Sequence, residues 1–216
     1  MDISLVRKGN HSFSSSDEHE MYRLRHQMFH DRLAWDVNTQ DGLEFDDFDR
    51  LDPPYVIARD ERILCGCWRI LPTTGANMLR DVFPQLLCGA PAPCGEDIWE
   101  LSRFAVLRQK SDAFGFSRLP LQMMEYIVQL ARQQGITQLV TVTTAGLERL
   151  LRHAGLRPRR LGPMLSIGVA RTIALSFDTS EATLAALTHS ISACAPPAAD
   201  RTARYISPNA TALATA

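Results

Sequence analysis

The run Trp99-Glu100-Leu101-Ser102-Arg103-Phe104 sets an acid, a hydroxyl and a guanidinium among apolar residues in a strand-like stretch. Strict alternation puts Trp99, Leu101 and Arg103 on one face and Glu100, Ser102 and Phe104 on the other, so each face mixes apolar and polar groups. Burying a charge is costly unless it is paired or hydrogen-bonded, which leaves two readings: the charges line a cleft, or they close an internal bridge. Cys67-Trp68-Arg69-Ile70-Leu71 again embeds an arginine in an apolar strand, where it either turns inward or snorkels from an edge. Phe45-Asp46-Asp47-Phe48-Asp49 interleaves acids with aromatics. In a turn-like loop the three-residue step from Asp46 to Asp49 lets both carboxylates converge on an ammonium or sulfonium group; a merely solvated acidic loop is the plain alternative. Arg25 and Phe29, with Trp35 beyond them, put a cation and large rings at the end of a helical pattern, and core packing accounts for Phe29 alone more easily than for Arg25.

These residues need elements to hold them. Met21, Leu24, Met28 and Phe29 recur at helical spacing and predict a first helix over residues 17–33, capped by Ser16 or Asp17. Tyr55–Ala58 and Ile63–Leu71 read as a hairpin, and Ile98–Val106 as a third strand. A second helix spans Ser117–Gln134, with Pro120 in its first turn and Gly135 as its stop. Ile136–Thr144 reads as a strand, Leu147–Ala154 as a short helix and Leu165–Phe177 as an interrupted last strand. Antiparallel strands first and helix-separated strands later predict an α/β fold, a mixed sheet flanked by helices.

With 216 residues, 45% apolar and 22% charged, the chain has ordinary globular composition and enough length to bury a core without staples. One catalytic domain over residues 1–190 is expected, followed by a loose tail over 191–216 rich in Ala, Thr, Ser and Pro. Lys and Arg (23) nearly balance Asp and Glu (24), so no global basic field favours a nucleic-acid backbone. Charge is instead segregated into an acidic stretch over 41–52 and a basic one over 145–171, which predicts two surfaces of opposite sign. Five cysteines, an odd number without zinc-site spacing, fit a reducing cytoplasm, and no metal is expected. Neither a signal-peptide core nor an apolar run of about 20 residues is found, so no membrane association is expected. Phosphate-cradling glycine loops and the GxSxG and HExxH patterns are also absent.

Taken in order, Arg25, Phe29, Trp35, Asp46, Asp49, Arg69, Phe83, Glu100, Ser102 and Arg103, with Leu71-Pro72-Thr73-Thr74, resemble the acyl-homoserine-lactone synthases, the autoinducer synthases of Gram-negative bacteria. The resemblance covers residues 5 to 172. It implies a fold similar to the N-acetyltransferase superfamily and a quorum-sensing activity in which acyl-carrier protein donates an acyl group to the α-amine of S-adenosyl-L-methionine. Attack of the methionine carboxylate on the γ-carbon then closes the lactone and releases methylthioadenosine. No cofactor is implied, since S-adenosyl-L-methionine is a substrate. The resemblance makes Glu100 the candidate base, with Ser102 and Arg103 beside it, and gives Arg25, Phe29, Trp35, Asp46, Asp49, Arg69 and Phe83 to the S-adenosylmethionine side. Some of these acids and arginines would bridge one another rather than touch ligand.

For the acyl chain the candidates are Thr141, Thr143, Met123 and Leu150. Threonine hydroxyls there would favour a 3-oxo or 3-hydroxy chain of medium to long length, although strand-forming Thr and core-filling Met serve equally well. The stretch Lys110–Phe116 offers Gly115 alone where acetyl-coenzyme A enzymes cradle a pyrophosphate, which suits a donor bearing a single phosphate. Arg149, Arg152 and Arg157 would then dock the acidic carrier protein. Two alternatives remain, an acetyl-coenzyme A N-acyltransferase acting on a small amine and a non-catalytic acyl-binding sensor; release of methylthioadenosine separates both from a synthase.

Overall fold

A computed structural model describes residues 1–10, 12–107 and 118–193. Strands β1 (Asp2–Val6), β4 (Tyr55–Asp60), β5 (Ile63–Pro72) and β6 (Ile98–Val106) form an antiparallel half-sheet. Its partner half holds β7 (Gln138–Thr144), β10 (Ala170–Asp178) and β8 (Arg159–Arg160), with β9 (Leu165–Ile167) also paired to β10. β2 (Thr39–Gln40) and β3 (Leu43–Glu44) make a separate two-residue hairpin. The halves meet at β6 and β7, which run parallel and are joined through helix α3 (Arg118–Gln133), the crossover a parallel pair requires. Helix α1 (Ser15–His26) covers one face of the sheet. The other face is covered by α3, the short α4 (Ala145–His153) and α5 (Glu181–Ala193). The mixed sheet flanked by helices is therefore as expected, with more elements than the sequence reading supplied.

Three departures have physical causes. The long first helix stops at His26 and continues as one π-helical turn over Gln27–Arg32, a local widening of the kind often found at functional sites. The interrupted last strand is a hairpin, β9 and β10 turning at Gly168, whose φ of +57° is a conformation glycine adopts freely. The expected loose tail begins too early, because α5 runs to Ala193 and buries Leu187 and Ile191 against the α3 side. Ser180 caps α5 by accepting from the Thr183 N–H at 3.3 Å. Ser117, Lys110–Phe116 and residues 194–216 lie outside the described residues.

Two irregularities open the sheet. Parallel pairing of β6 with β7 is confined to Ile98–Leu101 against Gln138–Thr141; beyond it the strands separate. On the other side of β6 the register against β5 shifts, so that Arg103 and Phe104 both fall opposite Trp68. Arg103 takes φ +57°, the left-handed conformation of a β-bulge. The extra residue breaks the alternation: Glu100, Ser102 and Arg103 share the α1 side, while Leu101 and Phe104 join the core beneath α3. Strict alternation had put Arg103 with Leu101, and the bulge is the reason it is not there.

The acidic stretch is only partly the expected surface: Asp41, Asp47 and Asp52 are exposed, while its other acids turn inward. Glu44 and Asp49 are buried, and with Asp46 they meet three arginines in a closed ring of alternating charge. Arg25 bridges Glu44 and Asp49, Arg69 bridges Asp49 and Asp46, and Arg103 bridges Asp46 and Glu44. Six residues from α1, β3, the 3-10 turn Asp47–Leu51 with its cap Asp46, β5 and β6 are tied together in this way. Burial pushes the Asp49 carboxyl up, but Arg25 and Arg69 outweigh it and hold the group well below the usual carboxylate range.

Two outcomes follow for stability. Glu44→Gln leaves Arg25 and Arg103 each short of a carboxylate, and removing one partner of a buried ionic group should cost about 3–5 kcal/mol in urea denaturation. An Asp carboxyl whose pKa is lowered by folding stabilises above its unfolded value of about 3.9 and loses that contribution as pH falls below it. Acid titration should therefore destabilise the wild type more steeply below about pH 4 than an Asp49→Asn variant, whose stability should already be lower at neutral pH.

Candidate active site

The gap between the separating strands opens into a cavity of about 910 Å³ that passes through the sheet, a size that takes a small-molecule ligand. On the α1 side it is lined by Phe29, Trp35, Phe83, Met78, Glu100, Ser102 and Arg103. On the far side Trp68, Phe104, Pro120, Leu147 and Leu150 take over, with Thr141 to Thr144 along β7 between them. The π turn supplies Met28, Phe29 and Arg32 to the wall and is followed by Leu33, so the widened turn and the residue after it aim two adjacent pairs of side chains into the cavity. Phe29 and Trp35 stack with centroids 5.4 Å apart and planes 8° apart. The Arg103 guanidinium lies over the Phe29 ring, 5.7 Å from its centroid.

Glu100 is fully buried yet reaches the cavity wall. Its two carboxyl oxygens accept from the backbone N–H groups of Met78 (2.9 Å) and Leu79 (2.7 Å), the first residues of the short helix α2 (Met78–Asp81). Burial pushes its carboxyl above the ordinary glutamate range, and the two N–H donors only partly offset that. No arginine bridges it among the described residues. A carboxylate with raised basicity, fixed in orientation and open to a cavity, can accept a proton from a bound amine. Ser102 accepts from Arg69 Nε at 3.0 Å, which leaves its own hydroxyl proton free to donate toward the cavity.

The sequence candidates therefore divide. Glu100, Ser102, Arg103, Phe29, Trp35, Phe83, Thr141, Thr143 and Leu150 line one cavity. Arg25, Asp46, Asp49 and Arg69 do not; they belong to the ionic ring behind it, which presents Arg103 alone to the cavity. Met123 is not a wall residue either, because it is wholly buried in the core against Gly66, where an added Cβ would lie 2.8 Å from its Sδ. Of the basic candidates, Arg149 and Arg157 are exposed, whereas Arg152 donates to Glu148 on its own helix and to the Pro158 carbonyl. Arg160 shares Glu148 with it at 2.8 Å.

The reading of residues missed Glu44, Met78 and Trp68. Glu44 was absorbed into the acidic run, although its place between Leu43 and Phe45 marks an acid in an apolar setting. Among the described residues one group has metal-ligand proximity, the surface trio His26, His30 and Asp31, in which Asp31 lies within ion-pair distance of both imidazoles.

Comparison with known proteins agrees with this geometry. The family model for autoinducer synthases matches residues 10–187. An acyl-homoserine-lactone synthase of Pseudomonas aeruginosa is 44% identical over 171 residues, covering 78% of this chain and 85% of that one. The crystal structure of the synthase LasI superposes with a TM-score of 0.80 at 40% identity, covering 87% and 94% of the two chains. That of the coenzyme A-dependent synthase BjaI, solved with S-adenosylmethionine and isopentyl-coenzyme A, gives 0.78 at 29%, covering 88% and 89%. A more distant likeness, 12% identity and TM-score 0.55 over 83% of this chain and all of a Lactobacillus plantarum protein named for the N-acetyltransferases, concerns the fold alone. With the matched family spanning most of its length and Glu100, Ser102 and Arg103 gathered at one cavity, the chain belongs to the autoinducer synthases and is an acyltransferase.

Proposed function

We propose that the protein makes an acyl-homoserine lactone from S-adenosyl-L-methionine and an acyl group carried on acyl-carrier protein. The observation that carries this reading is a buried Glu100, bridged by no arginine among the described residues, on a cavity with an aromatic, charged side and an apolar one. Glu100, directly or through water, takes a proton from the α-ammonium of S-adenosylmethionine. The free amine attacks the thioester carbonyl, forming the amide and releasing the phosphopantetheine thiol. The carboxylate then attacks the γ-carbon, and methylthioadenosine leaves from the sulfonium as the ring closes. Holding the carboxylate in line is the main demand of that second step. Arg103, kept in place by Glu44 and Asp46, supplies a fixed positive charge to the compartment walled by Phe29, Trp35 and Phe83. Arg25, Asp46, Asp49 and Arg69 act as positioning residues through it.

The likeness to a coenzyme A-dependent synthase makes coenzyme A thioesters the second donor reading. Exposed Arg149, on the helix whose Gly146, Leu147 and Leu150 line the cavity, and exposed Arg157 just beyond that helix support the acidic carrier protein. Purified protein given S-adenosylmethionine and a matched acyl group on either carrier should yield lactone and methylthioadenosine faster from the protein-borne donor. Faster turnover of the coenzyme A thioester would reverse the assignment, and no lactone from either would remove the reading.

Glu100→Gln should lower kcat by about 10²–10⁴-fold, the usual contribution of a general base. It should also remove a rise of rate with pH whose midpoint lies above the ordinary glutamate value, because the acid must be deprotonated to act and burial raises its pKa. An unchanged pH profile in the variant would assign the proton transfer elsewhere. Charge reversal at Arg149 or Arg157 should raise KM for acyl-carrier protein and flatten its salt dependence while leaving KM for S-adenosylmethionine alone. Arg152 is a poorer test site, since its reversal also breaks the bridge to Glu148.

A further inference from the structure

Trp68 is 1% exposed, its ring lines the cavity, and its indole Nε1–H is the one buried side-chain polar atom without a hydrogen-bond partner among the described residues. The charged groups around the site are satisfied: Glu100 by two backbone donors, with Ser102 taking Arg69 Nε, and the ring members by one another. A buried donor with nothing to donate to is unfavourable and uncommon in a native fold. The indole cannot swing away cheaply, because it is fixed in the core under α3 and packed on Phe104 with centroids 4.2 Å apart. An acceptor brought in by a ligand would satisfy it.

The position of the indole narrows what that acceptor is. Trp68 points to the α3 side of the sheet, whereas its strand neighbour Arg69 and the groups Glu100 and Ser102 point to the α1 side. A thioester carbon within reach of an amine at Glu100 is therefore on the opposite face from the indole. The acyl chain must pass through the gap between β6 and β7 before it meets Trp68. Along β7, Leu139 packs in the same core as Trp68, so period two puts Thr141 and Thr143 on that face as well, and both line the cavity. Trp68 of β5 and Thr141 and Thr143 of β7 thus line the same far-side compartment, the one a chain enters once past the gap.

We propose that Trp68 is a specificity-determining residue, its indole N–H donating to an oxygen on carbon three of the acyl chain. This rests on the reading of the cavity as the acyl site of a synthase. A 3-oxo or 3-hydroxy group supplies the missing acceptor, while an unsubstituted chain leaves the N–H buried and unpaired, so the pocket discriminates against it.

The chain has three tryptophans, Trp35, Trp68 and Trp99, so full-length protein with ¹⁵N-labelled indoles gives three signals, and Trp68→Phe identifies the one in question. Stable acyl-pantetheine analogues of one chain length, with and without a 3-oxo group, are then titrated in. The expected result is a downfield move of the Trp68 signal with the 3-oxo analogue alone, while the Thr141 and Val142 amides respond to both. Equal movement with both analogues, or none while those amides respond, overturns the assignment and leaves the acyl-site reading intact. No response of those amides to either analogue overturns the reading and the proposal together. In turnover, Trp68→Phe should reduce the ratio of kcat/KM for the 3-oxo donor over the unsubstituted donor by about ten-fold. An equal loss for both donors would also overturn the assignment.

Discussion

Three guanidiniums lie out of water at the centre of this molecule, and much of its geometry answers the question of how they are neutralised. A single carboxylate beside each would leave most of the five donors of every guanidinium unused. The ring solves this by sharing: each acid bridges two arginines and each arginine two acids, so three of each sign close on themselves without a leftover charge. Tyr55 adds a donor to Asp49 at 2.6 Å, and Arg69 spends its Nε on Ser102. Because the members come from α1, β3, a 3-10 turn, β5 and β6, the ring can close only when all of these are in register. The arrangement is better understood as fixing one geometry than as adding net stability, since buried ion pairs barely offset their own desolvation.

The bulge on β6 is the backbone counterpart of that ring. Without the extra residue, Arg103 would share a face with Leu101 and point under α3, where no acid waits for it. With it, the guanidinium turns to Glu44 and Asp46, and Phe104 drops into the core beside Trp68. A non-glycine residue at positive φ costs free energy, offset here by two ion pairs and a ring contact. Just past Leu101 and Thr141 the strands also part, freeing ladder groups that would otherwise pair with each other. Bulge and splay lie side by side on one strand, so the charged edge and the opening in the sheet coincide.

Much of this was legible in the residues and some was not, for identifiable reasons. β6 was bounded correctly at Ile98 and Val106, and α3 to within a residue at its end, because apolar periodicity and Gly135 are local signals. The faces of β6 were misassigned at Arg103, since a bulge depends on pairing with β5 and leaves no mark on composition. The acidic run over 41–52 was taken as surface because counting charge along a chain ignores arginines 19 or more positions away. α5 was missed because Ala, Thr and Ser dilute its apolar stripe; only packing on α3 makes Leu187 and Ile191 core. The resemblance named side chains of both the cavity wall and the ionic ring but could not separate those that line the cavity from those that hold Arg103.

That separation bears on the basicity of Glu100. An acid on the same sheet face as Arg69 and Arg103 would ordinarily be drawn into a salt bridge, and its pKa would fall. Here Arg69, the nearest cation in effect, is already held by Asp46 and Asp49, and its pull on Glu100 is smaller than the effect of burial. What holds Glu100 in place is instead a pair of backbone N–H groups, which orient the carboxylate without bringing a full charge beside it. The outcome is a carboxyl that is rigid, dry and still basic. Confining the cations within a closed ring thus leaves Glu100, three residues from Arg103, with a carboxyl raised above its ordinary range by burial.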